Sequence, residues 1–182
     1  MNTPYNIRRL KKGEEHEMQK LIKTVFSKFV APGFSQEGIA EFLKVITPES
    51  IRDRLKKGNR IIFVTEEEKT KKIIGAIEIR DFNHISLFFI HSKFQKKGIG
   101  KTLLKKCIDI CKKKNANLTK ITVHASPNAV AAYEKFGFQK IGKGGIREKN
   151  NIRFMKMKFV LKRSPGNVTF TRMQLKKFTK KA

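Results

Sequence analysis

Residues 95–102, Gln-Lys-Lys-Gly-Ile-Gly-Lys-Thr, follow the apolar run at 85–90 and lead into a helical pattern. Gly98 and Gly100 carry no Cβ, so the backbone there can approach an anionic group closely. Amides freed by the glycines, together with the start of a helix, make a concave anion site. Lys96, Lys97 and Lys101 add positive charge around it. The chemistry this points to is capture of a phosphate. It is not the triphosphate loop, whose first glycine falls where Gln95 stands. Nor is it the dinucleotide fingerprint, whose third glycine is replaced by Leu103. On this segment alone an ordinary strand-to-helix turn is the competing reading.

Other side chains that can do chemistry are sparse. Glu78 alternates away from Ile77 and Ile79, so it either faces a cleft as a proton acceptor or is a surface carboxylate, for example a partner for Arg80. His16 and His84 read as structural, while His124 closes a strand pattern and is the alternate base to check. No His/Cys/Asp cluster has metal-ligand spacing, so no metal is expected. Cys107 and Cys111 sit one helical turn apart, with Cβ atoms about 5–6 Å from each other, too far for an unstrained disulfide. No Gly-x-Ser-x-Gly or Cys/His nucleophile arrangement is present.

The elements that must position these residues can be read from periodicity. A first strand covers residues 5–10. A helix from Glu14 carries Met18, Leu21, Ile22, Val25, Phe26 and Phe29 on one face and ends at Pro32-Gly33. A second helix runs from Ser35 with Ile39, Phe42, Leu43 and Ile46 inward. Thr47-Pro48-Glu49 starts a third that ends near Gly58. Residues 60–65, 73–80 and 84–91 form an antiparallel meander. Ile99, Leu103, Leu104, Cys107, Ile108 and Cys111 then mark one face of a helix. A strand at 121–125, a helix at 128–136 and closing strands near 138–141 and 152–161 complete one mixed α/β domain without internal repeats.

Composition bounds the function. The 182 residues hold 42 Lys and Arg against 15 Asp and Glu, a net charge of +27. Residues 1–81 carry 17 basic and 12 acidic side chains, whereas residues 82–182 carry 25 basic ones and only Asp109, Glu134 and Glu148. That asymmetry favours an anionic ligand or surface for the second half. No apolar run approaches the ~20 residues of a membrane helix. The N-terminus lacks the pattern of a signal peptide, so a reduced cytoplasmic protein is expected, with no membrane partner. Residues 162–182 hold seven basic residues and no acid. They form a solvated tail, an arm touching a polyanion or an added edge strand.

Two motifs in order carry a family resemblance. Gln95-Lys-Lys-Gly98-Ile-Gly100 after an apolar strand is similar to the acetyl-CoA signature of the GNAT N-acetyltransferases, Q/R-x-x-G-x-G/A. Downstream, Asn128-Ala-Val-Ala131-Ala132-Tyr133-Glu-Lys-Phe136-Gly137-Phe138 resembles that family's second conserved stretch. The likeness spans residues 5–161 and implies a GNAT domain at 1–161, a mixed central sheet flanked by helices, with a basic tail at 162–182.

The resemblance also implies site residues. Gln95, Lys96, Lys97, Gly98, Ile99, Gly100, Lys101 and Thr102 would hold the pyrophosphate of acetyl-CoA. Backbone groups of Phe89, Ile90 and His91 would hold the pantetheine arm and thioester oxygen, and Asn128 would position that arm or a water. Tyr133 would be the general acid for the leaving thiol; without the resemblance it reads as a packed helix aromatic. Glu78 is the candidate base. Two functions follow: an N-acetyltransferase acting on a primary amine, or a basic module for nucleic acid or the ribosome that reuses the fold. A combined form docks on an RNA-rich surface. The acceptor, set in the family by the first helices and the Gly142–Arg147 loop, is not legible. A homodimer is common in such a family.

Overall fold

The computed structural model describes residues 4–142, 145–149 and 151–161. The 162–182 tail, with its three readings, lies outside the described residues, as do positions 143 and 144 of the acceptor-side loop.

In chain order the elements are β1 (Tyr5–Arg9), α1 (Glu15–Phe29), a 3-10 turn (Ala31–Gly33), α2 (Gln36–Val45) and α3 (Pro48–Leu55). The meander β2 (Arg60–Glu67), β3 (Ile73–Arg80) and β4 (His84–Ile90) follows. Next come a 3-10 turn (Ser92–Phe94), α4 (Ile99–Lys114), β5 (Lys120–Ala125), a turn (Pro127–Ala129) and α5 (Val130–Lys135). Strands β6 (Gln139–Lys140), β7 (Arg147–Lys149) and β8 (Ile152–Val160) complete the elements of the described residues. The sheet runs β1-β2-β3-β4-β5-β8-β6, with β7 also on β8. Among the described residues only the β4–β5 pairing is parallel.

Local chemistry accounts for most boundaries. Ser35 Oγ accepts from the Gly38 amide at 3.1 Å and Thr47 Oγ1 from the Ser50 amide at 3.2 Å, so each caps its helix, α2 and α3. Pro48 occupies the first turn of α3, where its missing N–H is not needed. Two boundaries differ from expectation. The third helix stops at Leu55 rather than near Gly58, and β7, an Arg-Glu-Lys strand, carries no hydrophobic alternation that could have announced it.

The sheet buries two faces. On the back face α4 and α5 cover Ile77, Ile79, Ile85, Val123 and Met157 with Leu103, Cys107, Ile108 and Tyr133. On the front face α1, α3 and the end of α2 cover Ile62, Val64, Ala76 and Leu87 with Met18, Ile22, Ile51 and Ile46. Each fully buried aliphatic side chain contributes about 2 kcal/mol by removal from water. The helix α2 reaches past β4 to β8. Its Gly38 backs onto the Asn151 carbonyl oxygen, 2.3 Å from where a Cβ would stand.

One irregularity matters most for function. The β3–β4 register passes from Ile79↔Ile85 to Glu78↔Leu87, leaving Ser86 as the extra residue of a β-bulge. Pairing of β4 with β5 is confined to His84↔Thr122 and Ile85↔Val123, and stops at that bulge. A bulge bends its strand and raises local twist. Beyond Ser86 the two strands therefore part, and a split opens in the middle of the sheet.

Candidate active site

Backbone polarity inside the split follows from the β3–β4 ladder. His91 N–H donates to Ile74 O at 2.8 Å. In an antiparallel ladder residues two apart point their N–H and C=O the same way, so Phe89 and Leu87 also face β3. Phe88 and Ile90 then turn their backbone groups toward β5, where among the described residues no strand pairs with them. Gln95 Nε2 donates to Ile90 O at 2.9 Å, which ties the glycine loop to the lip of the split. The expected trio is corrected accordingly. Ile90 faces the split, but Phe89 and His91 spend their amides on β3, and His91 O accepts from Phe94 N–H at 2.8 Å. Phe88, which sequence reasoning missed, turns its backbone toward the split where Phe89 was expected to.

The glycine loop sits where the split strand ends. Gly98 has φ +82° with nothing within 4 Å of where a Cβ would be, and Lys96 has φ 60°. The first intrahelical bond of α4 is Thr102 N–H to Gly98 O at 3.1 Å, so the amides of Ile99, Gly100 and Lys101 precede the ladder. Lys96, Lys97 and Gly98 are exposed, whereas Ile99 is buried and plugs the helix start into the core. A Cβ on Gly100 would lie 3.0 Å from Phe136 Cζ and 3.5 Å from Phe88 Cζ, so glycine there lets the helix press against the strand. The helix-start amides of Ile99 and Gly100, flanked by lysines, fit a pyrophosphate.

Tyr133 stands on the back side of the split. Its ring centroid is 6.3 Å from that of Phe88 and 5.2 Å from that of Phe138, and the residue is 8% exposed. Among the described residues no hydrogen bond engages its hydroxyl. Burial pushes the phenol above its usual range, so it is protonated at neutral pH. Asn128 has a bridging position. Its Nδ2 donates to Phe29 O at 3.2 Å, joining the end of β5 to the end of α1.

Glu78 does not face the split. It is 0% exposed on the front face, and Arg54 Nε lies 3.0 Å from both its oxygens. Arg60 Nη1 adds a bond of 2.7 Å. Arg54 also donates to Val45 O at 2.6 Å and Ser50 Oγ at 2.8 Å, locking α3 onto the sheet. A buried carboxylate held by two guanidinium groups is a structural link, and neither the base role nor the Arg80 partnership fits it.

His124 is the titratable group at the front of the split. Its ring stacks on Phe154 at 4.2 Å and meets His84 edge-on at 4.8 Å. His84 Nδ1 and Thr122 Oγ1 are 2.8 Å apart. Burial, then Lys156, Arg80 and Lys149, hold His124 below its ordinary pKa. Burial, then Arg80 and His124, bring His84 down to about 4. Both rings are therefore neutral at physiological pH. Cys107 and Cys111 are free and buried in the α4 core, with burial raising both thiols, Cys111 to about 11.

The family described as "Acetyltransferase (GNAT) domain" matches residues 30–161. The chain belongs to the GNAT acetyltransferases. As a GNAT protein it is an acetyl-CoA-dependent N-acetyltransferase, with the mixed sheet that its motifs implied. Among solved structures it is similar to a GCN5-related N-acetyltransferase from Rhodopseudomonas palustris, at TM-score 0.72 and 16% identity, over 88% of this chain and 98% of the other. A PaiA N-acetyltransferase from Thermoplasma acidophilum in complex with coenzyme A gives TM-score 0.70 at 18% identity, over 87% and 99% of the two chains. A spermidine N-acetyltransferase from Vibrio cholerae in complex with CoA and spermine gives 0.57 at 23%, over 87% and 96%. No curated protein matches the chain. Among the described residues no helix is long and apolar enough to cross a membrane, and no group of three or more His, Cys, Asp and Glu could hold a metal.

Proposed function

We propose that this GNAT protein transfers acetyl directly from acetyl-CoA to a primary amine, with Tyr133 and His124 on opposite sides of the split. The observation that carries this reading is the split itself. Among the described residues it leaves the Phe88 backbone and the Ile90 N–H without a strand partner, on the strand that runs into the Gly98 loop.

The bound co-substrate supplies a thioester, a carbonyl already activated toward an amine. Residues of the loop at 95–102 hold its pyrophosphate. The unpaired amides of Phe88 and Ile90 hold the arm as a missing strand would, and one of them donates to the thioester oxygen as charge develops there. The amine enters from the front with its lone pair free, forms the new C–N bond as the C–S bond breaks, and passes a proton to His124, directly or through water. Tyr133 gives its proton to the departing sulfur from the back. Asn128, through its bond to Phe29 O, fixes the turn after β5 against the end of α1.

The test is the Tyr133→Phe variant. General acids contribute about 10²–10⁴-fold. The expected result is a fall in kcat of that order with the acetyl-CoA dissociation constant unchanged, measured by CoA thiol release and by calorimetry. An unchanged kcat would remove Tyr133 from the mechanism.

A second reading, of docking on an RNA-rich surface, rests on the concentration of charge in residues 82–182. It adds to catalysis rather than replacing it. Turnover of a docked substrate should fall when salt is raised to about 0.5 M, because screening then acts within a few ångström. Unchanged turnover would end that reading.

A further inference from the structure

The front face beside the split is cationic in a particular way. Arg80 lies opposite His84 on the neighbouring strand, His84 opposite Thr122 and Thr122 opposite Lys158, so one row crosses β3, β4, β5 and β8, and the His124–Lys156 pair lies two residues along on the same face. Arg80, Lys156 and Lys149 all act on the His124 ring. Asp81 is the acid of this region, and it lies 3.8 Å from Arg80 with both side chains about half exposed, 42% and 51%. Glu78, the next front-facing residue of β3, is enclosed by Arg54 and Arg60. Among the described residues neither Lys156 nor Lys149 has an ion-pair partner.

The two reagents must enter from different sides. The Gly98 loop starts α4, which packs with α5 and Tyr133 on the back face, so the donor comes along that side. The acceptor has the front, between the Phe42–Phe89 contact at 6.0 Å on one lip and the His124–Phe154 stack on the other. An approaching ammonium meets three cations there. A second positive charge on the same molecule makes approach worse, whereas an anionic group on it is held. The cations also favour the neutral form of the amine, which is the nucleophile.

We propose that the acceptor is an amine carrying an anionic oxygen group, a carboxylate or a phosphate, which Lys156, Arg80 and Lys149 bind beside His124. This inference rests on the acetyltransferase reading above and assigns its substrate class. A polyamine such as the spermine in the Vibrio cholerae complex is the disfavoured class.

The experiment uses the full chain with acetyl-CoA and four acceptors of matched length where chemistry allows: a simple alkylamine, an amino carboxylate, an aminoalkyl phosphate, and spermidine. CoA thiol release gives kcat/KM for each, and a thermal melt with acetyl-CoA is run in parallel. One extra charge interaction at partial exposure is worth about tenfold. The expected order places one or both anionic acceptors at least about tenfold above the alkylamine, with spermidine last. Which of the two leads identifies carboxylate or phosphate. Lys156→Glu should lower the anionic-to-alkylamine ratio by about tenfold or more, with the acetyl-CoA melt shift retained as proof of folding. Spermidine or the alkylamine leading would overturn the inference. So would a melt shift with acetyl-CoA but turnover of none of the four. Absence of any acetyl-CoA shift would instead bring down the reading on which the inference stands.

Discussion

Replacing Glu78 separates the two roles that its position in the sequence allows. In the fold its carboxylate bonds Arg54 and Arg60 at 2.7–3.0 Å and is fully buried. Glu78→Gln keeps the shape but leaves the buried Arg54 and half-buried Arg60 guanidinium groups without their counter-charge. Removing one partner of a buried ion pair costs about 3–5 kcal/mol. In a 182-residue chain each kcal/mol moves the midpoint by about 2–4 °C, so the melt should fall by about 10 °C. Well below that midpoint, kcat should stay within about threefold of the parent and the acid limb of the pH profile should not move. Replacing the pair together, Glu78→Leu with Arg54→Met, should recover part of the loss, because it removes the orphaned charge. The assay is a circular-dichroism melt paired with kcat against pH. An unchanged midpoint with a rate loss of about 100-fold, the scale of a lost general base, would refute the structural role and restore Glu78 as the base.

Other expectations follow from the same geometry. The cations around His124 hold its pKa below the ordinary 6.5, so the acid limb of kcat/KM should lie below about pH 6.5. Lys156→Gln removes a cation and should move that limb upward, and a limb that stays put would take His124 out of the chemistry. His84 sits at about 4 in the fold against an ordinary 6.5, so the unfolded chain binds the proton first. Its contribution to stability is complete above pH 6.5 and is lost as pH falls toward 4, which urea midpoints at pH 7 and 5 should show, with the slope reduced in His84→Asn. Gly98→Ala places a Cβ at φ +82° in open space, so stability should fall by only about 1–2 kcal/mol while acetyl-CoA affinity drops. Gly38→Ala drives a Cβ to 2.3 Å from the Asn151 carbonyl, and a loss of about 1–3 kcal/mol should appear in the melt.

What the sequence made legible was whatever local chemistry decides. Helical periodicity located the faces of α1 and α4, apart from Phe29, which is 39% exposed; Ser35 and Thr47 announced their helices, and Gly98 the start of α4. The run Ile-Ser-Leu-Phe-Phe-Ile at 85–90 hid the bulge, because a strand apolar on both faces shows no alternation from which a slipped residue can be read. Hence Phe89 was expected to line the split when the extra residue Ser86 and the β3 ladder assign that place to Phe88. Glu78 was misread for a different reason. Its partners come from α3 and β2, 24 and 18 residues away, and no spacing rule links an arginine on a helix to a strand carboxylate. The importance of Gly38 arises in the same way, from a contact between segments far apart in the chain.

The most direct test of the account is a thermal melt with acetyl-CoA against ATP, at about 0.3 M salt so that exposed charge is screened. ATP matters as a control because a chain of net charge +27 attracts any polyphosphate. At 100 times its dissociation constant a ligand adds about 2.7 kcal/mol of stability, a readily seen shift. The account requires a clear shift with acetyl-CoA and little with ATP, since only the former has an arm to fill the place beside Phe88 and Ile90. Equal shifts, or none, would contradict it.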